Sequence, residues 1–281
     1  AIGYVNNQIP SGTYQYQPNT RISYTGMTDD AVWTANFFGE INQFALGNGS
    51  ANPTMEKLGV VTNAIQPVWQ NEYDRIRMAN RILANADKAY ADAATINLYK
   101  MEARALRAWY HLDLFLLYGE IPIVDRILKP EEADTRKNTK EEIIQFITSE
   151  LDSAAAVLPL QYATGQENRI TKGAALTMKT IAFLNAHMYP EAAAAAKEVI
   201  DLGQYELYQH TNPANSYLNL FLYTGQNNKE WIIRNNTMGE AYYRLAPPNA
   251  NGTSNLNPTA SIVNEYETKQ GKTIWELGPD S

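Results

Sequence analysis

The chain has no cysteine among its 281 residues. Disulfide frameworks, thiolate nucleophiles and Cys-ligated zinc sites are therefore excluded, and the redox compartment is left open by this route. It has only three histidines, His111, His187 and His210, and none stands in a metal-binding spacing such as HExxH. Basic runs are missing too. With 23 Lys and Arg against 30 Asp and Glu the net charge is -7, whereas nucleic acid and anionic membranes demand clustered cations. No stretch reaches the roughly 18 uninterrupted apolar residues of a membrane-spanning helix. No basic, apolar, small-residue leader follows Ala1, and neither a GxSxG elbow nor a phosphate-binding loop occurs.

What is present is a 44% apolar chain, ample for the core of one large domain or two small ones. Its aromatics are 18 Tyr and 5 Trp against 7 Phe. Such rings with a polar handle suit surfaces that are half apolar and half wet, although most of the tyrosines are expected to pack between helices.

The organising stretch is Met101–Val124, MEARALRAWYHLDLFLLYGEIPIV. On a wheel advancing about 100° per residue, Met101, Leu106, Trp109, Leu112, Leu116 and Leu117 cover more than half the circumference, so this helix has to be buried among others. Glu102 and Asp113 fall close together on that wheel with no basic residue three or four positions away, so their partners are expected from other helices. Arg104, Arg107 and His111 form a polar stripe on roughly the opposite side. Gly119 and Pro122 end the helix.

Taken in order, AIGYVNNQIP reads as the last turns of a helix whose start lies outside the chain, and KTIWELGPDS stops as a new apolar segment begins. Both ends of a longer natural chain are expected to be absent. From Pro10 to Pro53 the sequence is loop-like, with one helical candidate, TDDAVWTANFF, capped by Thr28 or Asp29. A loop of this length is more often functional than not. Residues 52–87 read as helical, with Trp69, Tyr73, Ile76, Asn80 and Leu83 on one stripe. Asn80 needs partners there, either a neighbouring helix end or the buried carboxylates. Arg75, Arg77 and Arg81 are candidate ion-pair partners for Glu102 and Asp113, in structural rather than catalytic networks.

After a charged linker, Thr139 opens a helix with Glu142 in a capping box, running to Leu158 before Pro159. RITKGAALTMKTIAFLNAHMYPEAAAAAKEVIDLG is two helices joined by a short turn, with Pro190 at a first helical position and Gly203 past the end. They must be antiparallel neighbours. Beyond Gly203 the chain reads as irregular, with a strand-like run EWIIRNN and a short helix, PTASIVNEYETKQG, ended by Gly271.

These ordered blocks resemble the SusD/RagB family of surface-exposed outer-membrane lipoproteins that bind glycans for import. The Trp69, Tyr73, Ile76, Asn80 stripe resembles one family helix, and EARALRAWYHLDLFLLYGEIPIV is similar to the family's most recognisable segment. RITKGAALTMKTIAFLNAHMYPEAAAAAKEVIDLGQYEL resembles its helical-repeat hairpin, and NNKEWIIRNN and NPTASIVNEYETKQGK follow in order. The resemblance implies a mostly α fold over 1–281. A tetratricopeptide-like scaffold of helical hairpins, about 54–203, would carry long irregular loops and a few short strands, with 10–53 and 204–281 as the ligand face. It also implies a SusC-like TonB-dependent transporter as partner and the cell outer membrane as location. The lipid anchor that would hold the protein there is absent from this chain.

Catalysis needs paired groups, and none is evident. A glycosidase needs two carboxyls within roughly 5 to 10 Å, while Glu102 and Asp113 stand about 16 Å apart along their helix at 1.5 Å per residue. A non-catalytic glycan-binding protein with no cofactor is the reading adopted. Sugar binding needs a flat aromatic face for pyranose C–H groups and planar amides or carboxylates for hydroxyls. Trp33 and Phe37 in the first loop and Tyr242, Tyr243 and Trp275 near the end supply the former. Asp30, Asn36, Asn48 and Asn52 supply the latter. The alternative is a helical-repeat scaffold that binds peptide or protein in a groove, with its exposed aromatics on helix faces rather than in loops.

Overall fold

Four side chains set where three of the long helices begin. The carboxylate of Asp92 accepts the backbone N–H of Thr95 at 2.9 Å, the Thr171 hydroxyl accepts that of Ala174 at 3.2 Å, and Thr139 and Glu142 form the reciprocal capping box. Each satisfies donors that a helix start leaves unpaired, worth about 0.5–2 kcal/mol per cap. The computed structural model describes residues 13–16, 20–23, 29–33, 68–132, 134–166, 168–220, 228–233, 256–268 and 270–278.

In chain order the elements are strands β1 (Thr13–Tyr16), β2 (Thr20–Ser23) and β3 (Ala31–Trp33), then helices α1 (Val68–Asn85), α2 (Ala93–Tyr118), α3 (Lys140–Ala155), α4 (Lys172–Asn185), α5 (Tyr189–Asp201) and α6 (Ser216–Leu220). Strand β4 (Leu256–Pro258) and two short helices, α7 (Ala260–Glu265) and α8 (Ile274–Leu277), complete the set. The protein is mostly α, as expected. It divides into two compact units, one of 72–236 with 1–9 and one of 10–71 with 237–281.

In the first unit α2 packs on α3, α3 on α4 and α4 on α5, so sequence neighbours are spatial neighbours, as in stacked helical hairpins. The core is filled by Leu106, Tyr110, Leu112 and Leu114 of α2, Ile143, Ile147 and Leu151 of α3, and Ala174, Ala175, Met178 and Ala182 of α4. Burying each of the larger side chains contributes about 1.5–3 kcal/mol. Ala192 and Ala195 of α5 are buried as well. Lys179 of α4 ties the three layers, reaching Asp152 of α3 at 2.7 Å and Glu198 of α5 at 3.3 Å. Gly119, at φ 72°, ends α2 with its N–H on the Phe115 carbonyl, and Gly203, at φ 61°, follows α5.

Several boundaries differ from the sequence reading. Helix α2 begins at Ala93, eight residues before Met101, where Asp92 caps it. Leu116 is half exposed, while Arg107 and His111 on the side read as polar are buried, so burial is distributed differently from the apolar side chains on the wheel. Helix α3 ends at Ala155, before Leu158. Pro190 is the second residue of α5. Of the helix expected over 52–87, the part before Val68 lies outside the described residues, as do AIGYVNNQIP and the loop FALGNGSANP.

In the second unit the stretch read as loop contains an antiparallel hairpin, with Thr13 opposite Ser23 and Tyr16 opposite Thr20. The alternation in TYQY and TRIS suits a strand. The helix proposed over TDDAVWTANFF is not formed at Ala31–Trp33, which pairs antiparallel with Leu256–Pro258. The expected acidic cap is superseded there. Asp30 offers its backbone carbonyl to the Thr259 N–H at 2.9 Å, and Asp29 offers its own to the Thr259 hydroxyl. Helix α7 stops at Tyr266, whose backbone is extended, and Gly271 instead closes a turn in which the Thr268 N–H donates to the Lys272 carbonyl at 2.8 Å.

Candidate functional site

The nine residues expected to bind ligand all fall within 10–71 and 237–281, the two segments of the second unit. Asn36, Phe37, Asn48, Asn52, Tyr242 and Tyr243 lie outside the described residues. Of the others, Asp30 is exposed and immediately precedes β3. Trp33 closes β3, opposite Leu256 of β4. This short ladder joins two parts of the chain more than 200 residues apart, which local periodicity cannot foretell.

Trp275 sits on α8 with 72% of its surface exposed. Its helix is started by Glu276, which accepts the Thr273 N–H at 2.7 Å. Tyr266, which the sequence analysis did not single out, is equally open at the end of α7. Large aromatic surface left in water is costly unless a partner covers it. A flat indole on a capped, pre-formed turn is suited to stacking against a ring.

The charged groups inside the helical unit have a different character. Glu150 of α3 accepts from Arg104 at 2.7 and 2.9 Å and from Arg107 at 3.0 Å, with a second close contact to the Arg107 guanidinium. Arg107 goes on to the Asn80 side-chain oxygen at 2.7 Å and the Asp125 carbonyl at 2.5 Å, while the Asn80 amide donates to the carbonyls of Val124 and Arg126, each at 3.0 Å. Tyr73 donates to the Pro122 carbonyl at 2.8 Å. The Ile123 N–H donates to the Asn138 side chain at 2.9 Å. Residues 121–126 thus form a segment outside any helix or strand, its polar backbone matched by side chains from α1, α2 and the loop before α3. The polar stripe of Arg104, Arg107 and His111 faces α3, with Arg107 and His111 buried beside Phe146.

Of the sequence pair, Asp113 meets one of the cations expected, Arg75 of α1, whereas Glu102 does not. Glu102 accepts from the Tyr162 hydroxyl at 2.6 Å and Arg169 Nε at 2.7 Å, both on the loop between α3 and α4 rather than on a helix. Asp113 lies near Glu72 and Arg75 of α1, where burial raises the pKa of both acids and Arg75 only partly offsets it. Arg75 forms a close ion pair with Glu72, whereas Arg77 and Arg81 are exposed. The sequence reading missed Glu72. Its spacing of four from Ile76 placed it on the buried face all along. The Glu72 side chain has no exposed surface, so it presents no carboxyl to a substrate. Among the described residues no group of three or more His, Asp or Glu is placed to hold a metal, and no helix is long and apolar enough to cross a membrane.

Comparison with known proteins identifies the architecture. Residues 7–184 match a SusD-like family model described as starch-binding and associating with the outer membrane. SusD-like protein P2 of Formosa agariphila is 26% identical over 165 residues, spanning 58% of this chain and 30% of that protein. Among solved structures, a SusD-like carbohydrate-binding protein from Bacteroides fragilis superposes with a TM-score of 0.78 at 23% identity, covering 97% of this chain and 53% of its own. A laminarin-binding SusD-like protein gives 0.68 at 22% identity, over 83% of this chain and 49% of that one. The chain therefore spans about half the length, or less, of these relatives. At such identities the superpositions establish the fold alone, and the family match, over more than half the chain, establishes descent. The chain belongs to the SusD-like family.

Proposed function

We propose that this protein binds oligosaccharide or polysaccharide at the outer surface of a Gram-negative cell, without chemistry of its own, and hands it to a SusC-like TonB-dependent transporter. In this reading 1–281 works as one SusD-like domain. The glycan lies on the face carrying Asp30, Trp33, Asn36, Phe37, Asn48, Asn52, Tyr242, Tyr243 and Trp275, held by ring stacking and by hydrogen bonds to its hydroxyls. Contact is shallow and wet, so affinity is modest. The family resemblance supports the outer-membrane location and the transporter as partner.

The observation that carries the reading is where aromatic surface is left uncovered. Among the described residues the aromatics more than half exposed are Tyr90, Tyr189, Tyr217, Tyr266 and Trp275. They stand in turns, on short helices or at the first residue of α5, and none is midway along a long helix as a peptide groove would require.

Affinity electrophoresis and calorimetry against soluble starch, laminarin, xylan and mannan test the proposal. At least one polysaccharide should retard the protein. Trp275→Ala should weaken that retention with unfolding unchanged within about 0.5 kcal/mol, as for an exposed position. Absence of retention by every polysaccharide, with the protein fully folded, overturns the reading, as does release of new reducing ends.

A further inference from the structure

A recess of about 240 Å³ opens in the helical unit, where the loop between α3 and α4 meets the chain after α5. Three rings line it, Tyr162, Tyr205 and Trp231, together with the amides of Gln161, Gln204 and Asn228. None of these residues belongs to the surface already proposed to bind glycan.

The recess is held from behind at several points. Tyr162 is fixed by its hydrogen bond to the buried Glu102 at 2.6 Å and by the Arg169 guanidinium, 4.3 Å from its ring centre. Tyr205 lies over Gly173 near the start of α4. A Cβ there would come 2.1 Å from the tyrosine hydroxyl, so glycine, at a cost in helix propensity of about 1 kcal/mol, is what makes room for the ring. The Tyr205 hydroxyl stands 3.5 Å from Thr171 Oγ1. The wall carrying Trp231 is tied down by the Glu206 N–H on the Lys229 carbonyl at 3.3 Å and the Tyr208 N–H on the Glu230 carboxylate at 2.8 Å. Glu230 therefore serves a bend, and 230–233 do not form the strand expected of EWIIRNN, whose remainder lies outside the described residues.

The chemistry of the lining selects its ligand. Lys229 is paired with Glu206 at 3.2 Å, and Arg169 lies behind Tyr162 on Glu102, so the charges around the recess already have partners. Gln161 donates to the Gln204 side-chain oxygen at 3.1 Å. That leaves the Gln161 oxygen as an acceptor and the Gln204 amide, whose contact to the Leu202 carbonyl is long at 3.4 Å, as a donor. Rings beside a neutral donor and acceptor fit a molecule with one apolar face and a rim of hydroxyls. The volume is below the roughly 300–1,000 Å³ of sites for drug-sized ligands, which restricts the occupant to a small unit.

We propose that this recess is a second saccharide site, taking a single neutral sugar residue of a longer glycan between Trp231 and Tyr205, with its hydroxyls on Gln161 and Gln204. The ligand class rests on the glycan-binding reading above, while the site is separate. A second point of attachment on one polymer raises overall avidity without tightening either contact.

The test uses the whole chain labelled with 5-fluorotryptophan, its five resonances assigned by single Trp→Phe substitutions, and titrated with maltotriose, laminaritriose, xylotriose and mannotriose. The Trp231 resonance should shift saturably with at least one trisaccharide. Gln204→Ala, Gly173→Ala, which displaces Tyr205, and Trp231→Ala, the last read by calorimetry, should each weaken that binding about tenfold. A Trp231 signal unmoved by every trisaccharide, in a protein that a polysaccharide still retards, overturns the second site and leaves the broader reading intact. So does unchanged affinity in all three variants. If no polysaccharide is retained and no tryptophan responds, both proposals fall.

Discussion

His111 Nε2 accepts the backbone N–H of Val124 at 3.1 Å, and its Nδ1 lies 2.8 Å from the Arg107 carbonyl one turn earlier in α2. An N–H can only be received by an unprotonated nitrogen, so the ring is neutral with its proton on Nδ1, donated to Arg107. Full burial, aided by the nearby Arg107 charge, lowers its pKa to about 4 despite that carbonyl.

The pH dependence follows in sign. In the unfolded chain His111 titrates near 6.5, so between about 6.5 and 4 the unfolded state binds the extra proton. The stabilisation from a neutral His111 is present above pH 6.5 and is lost as pH falls toward 4, on the order of 3 kcal/mol in all. Urea unfolding at pH 7 and 4.5 should show this loss, and His111→Gln should reduce the difference. An NMR titration with the His111 ring protonating near 6.5 in the folded protein would refute the assignment.

Glu72 and Asp113 act in the opposite direction. Their carboxyls are raised from the ordinary range near 4 toward neutrality, chiefly by burial. The folded state therefore holds protons that the unfolded state has released. Their contribution is complete below about pH 4 and declines from there as pH rises to about 8. Asp113→Asn leaves Glu72 alone with Arg75, so the variant should gain stability relative to the parent between pH 4 and pH 8, by about 1 kcal/mol or more. Equal stability changes at both pH values would show that the two acids do not share this coupling.

Glu150 answers two arginines from α2, and Arg107 is nearly as buried as Glu150 itself. Replacing Glu150 by Ala strands the Arg107 charge and should cost about 3–5 kcal/mol. The double change Arg107→Met with Glu150→Leu should recover most of that loss, because it removes both charges rather than one. Denaturant midpoints of the two variants decide the matter. A double variant as unstable as the single one would mean that the network's bonds to Asn80 and the Asp125 carbonyl, and not charge burial, dominate.

Features set within a few residues were legible in the sequence: the Thr139–Glu142 capping box, the positive-φ stops at Gly119 and Gly203, and the antiparallel pairing of α4 with α5. Features set across long separations were not. Glu102 finds Arg169, 67 residues on, and Asp30 and Trp33 are drawn into a ladder with residues 256–258, so a real capping pattern at Thr28 and Asp29 was outweighed by a distant partner. Arg107 and His111 were legible as a polar stripe but not as a buried one, because a wheel shows which side a polar group takes and not what meets it there. The candidate glycan face was read as a composition of rings and amides in loops, and of its residues only Asp30, Trp33 and Trp275 lie among those described. Trp231 was read as part of a strand, since the side-chain bond from Glu230 to Tyr208 that bends the segment leaves no periodic trace.

The segment 121–126 is shaped from outside, by Tyr73, Asn80, Arg107, His111 and Asn138, so the instructions for its path are written elsewhere in the chain. Val124 is held by its backbone groups whereas Asn80 and Asn138 act through their side chains, so an aliphatic exchange at Val124 should disturb the route less than a substitution at either asparagine. The segment behaves as a casting, and the mould is what selection has to preserve.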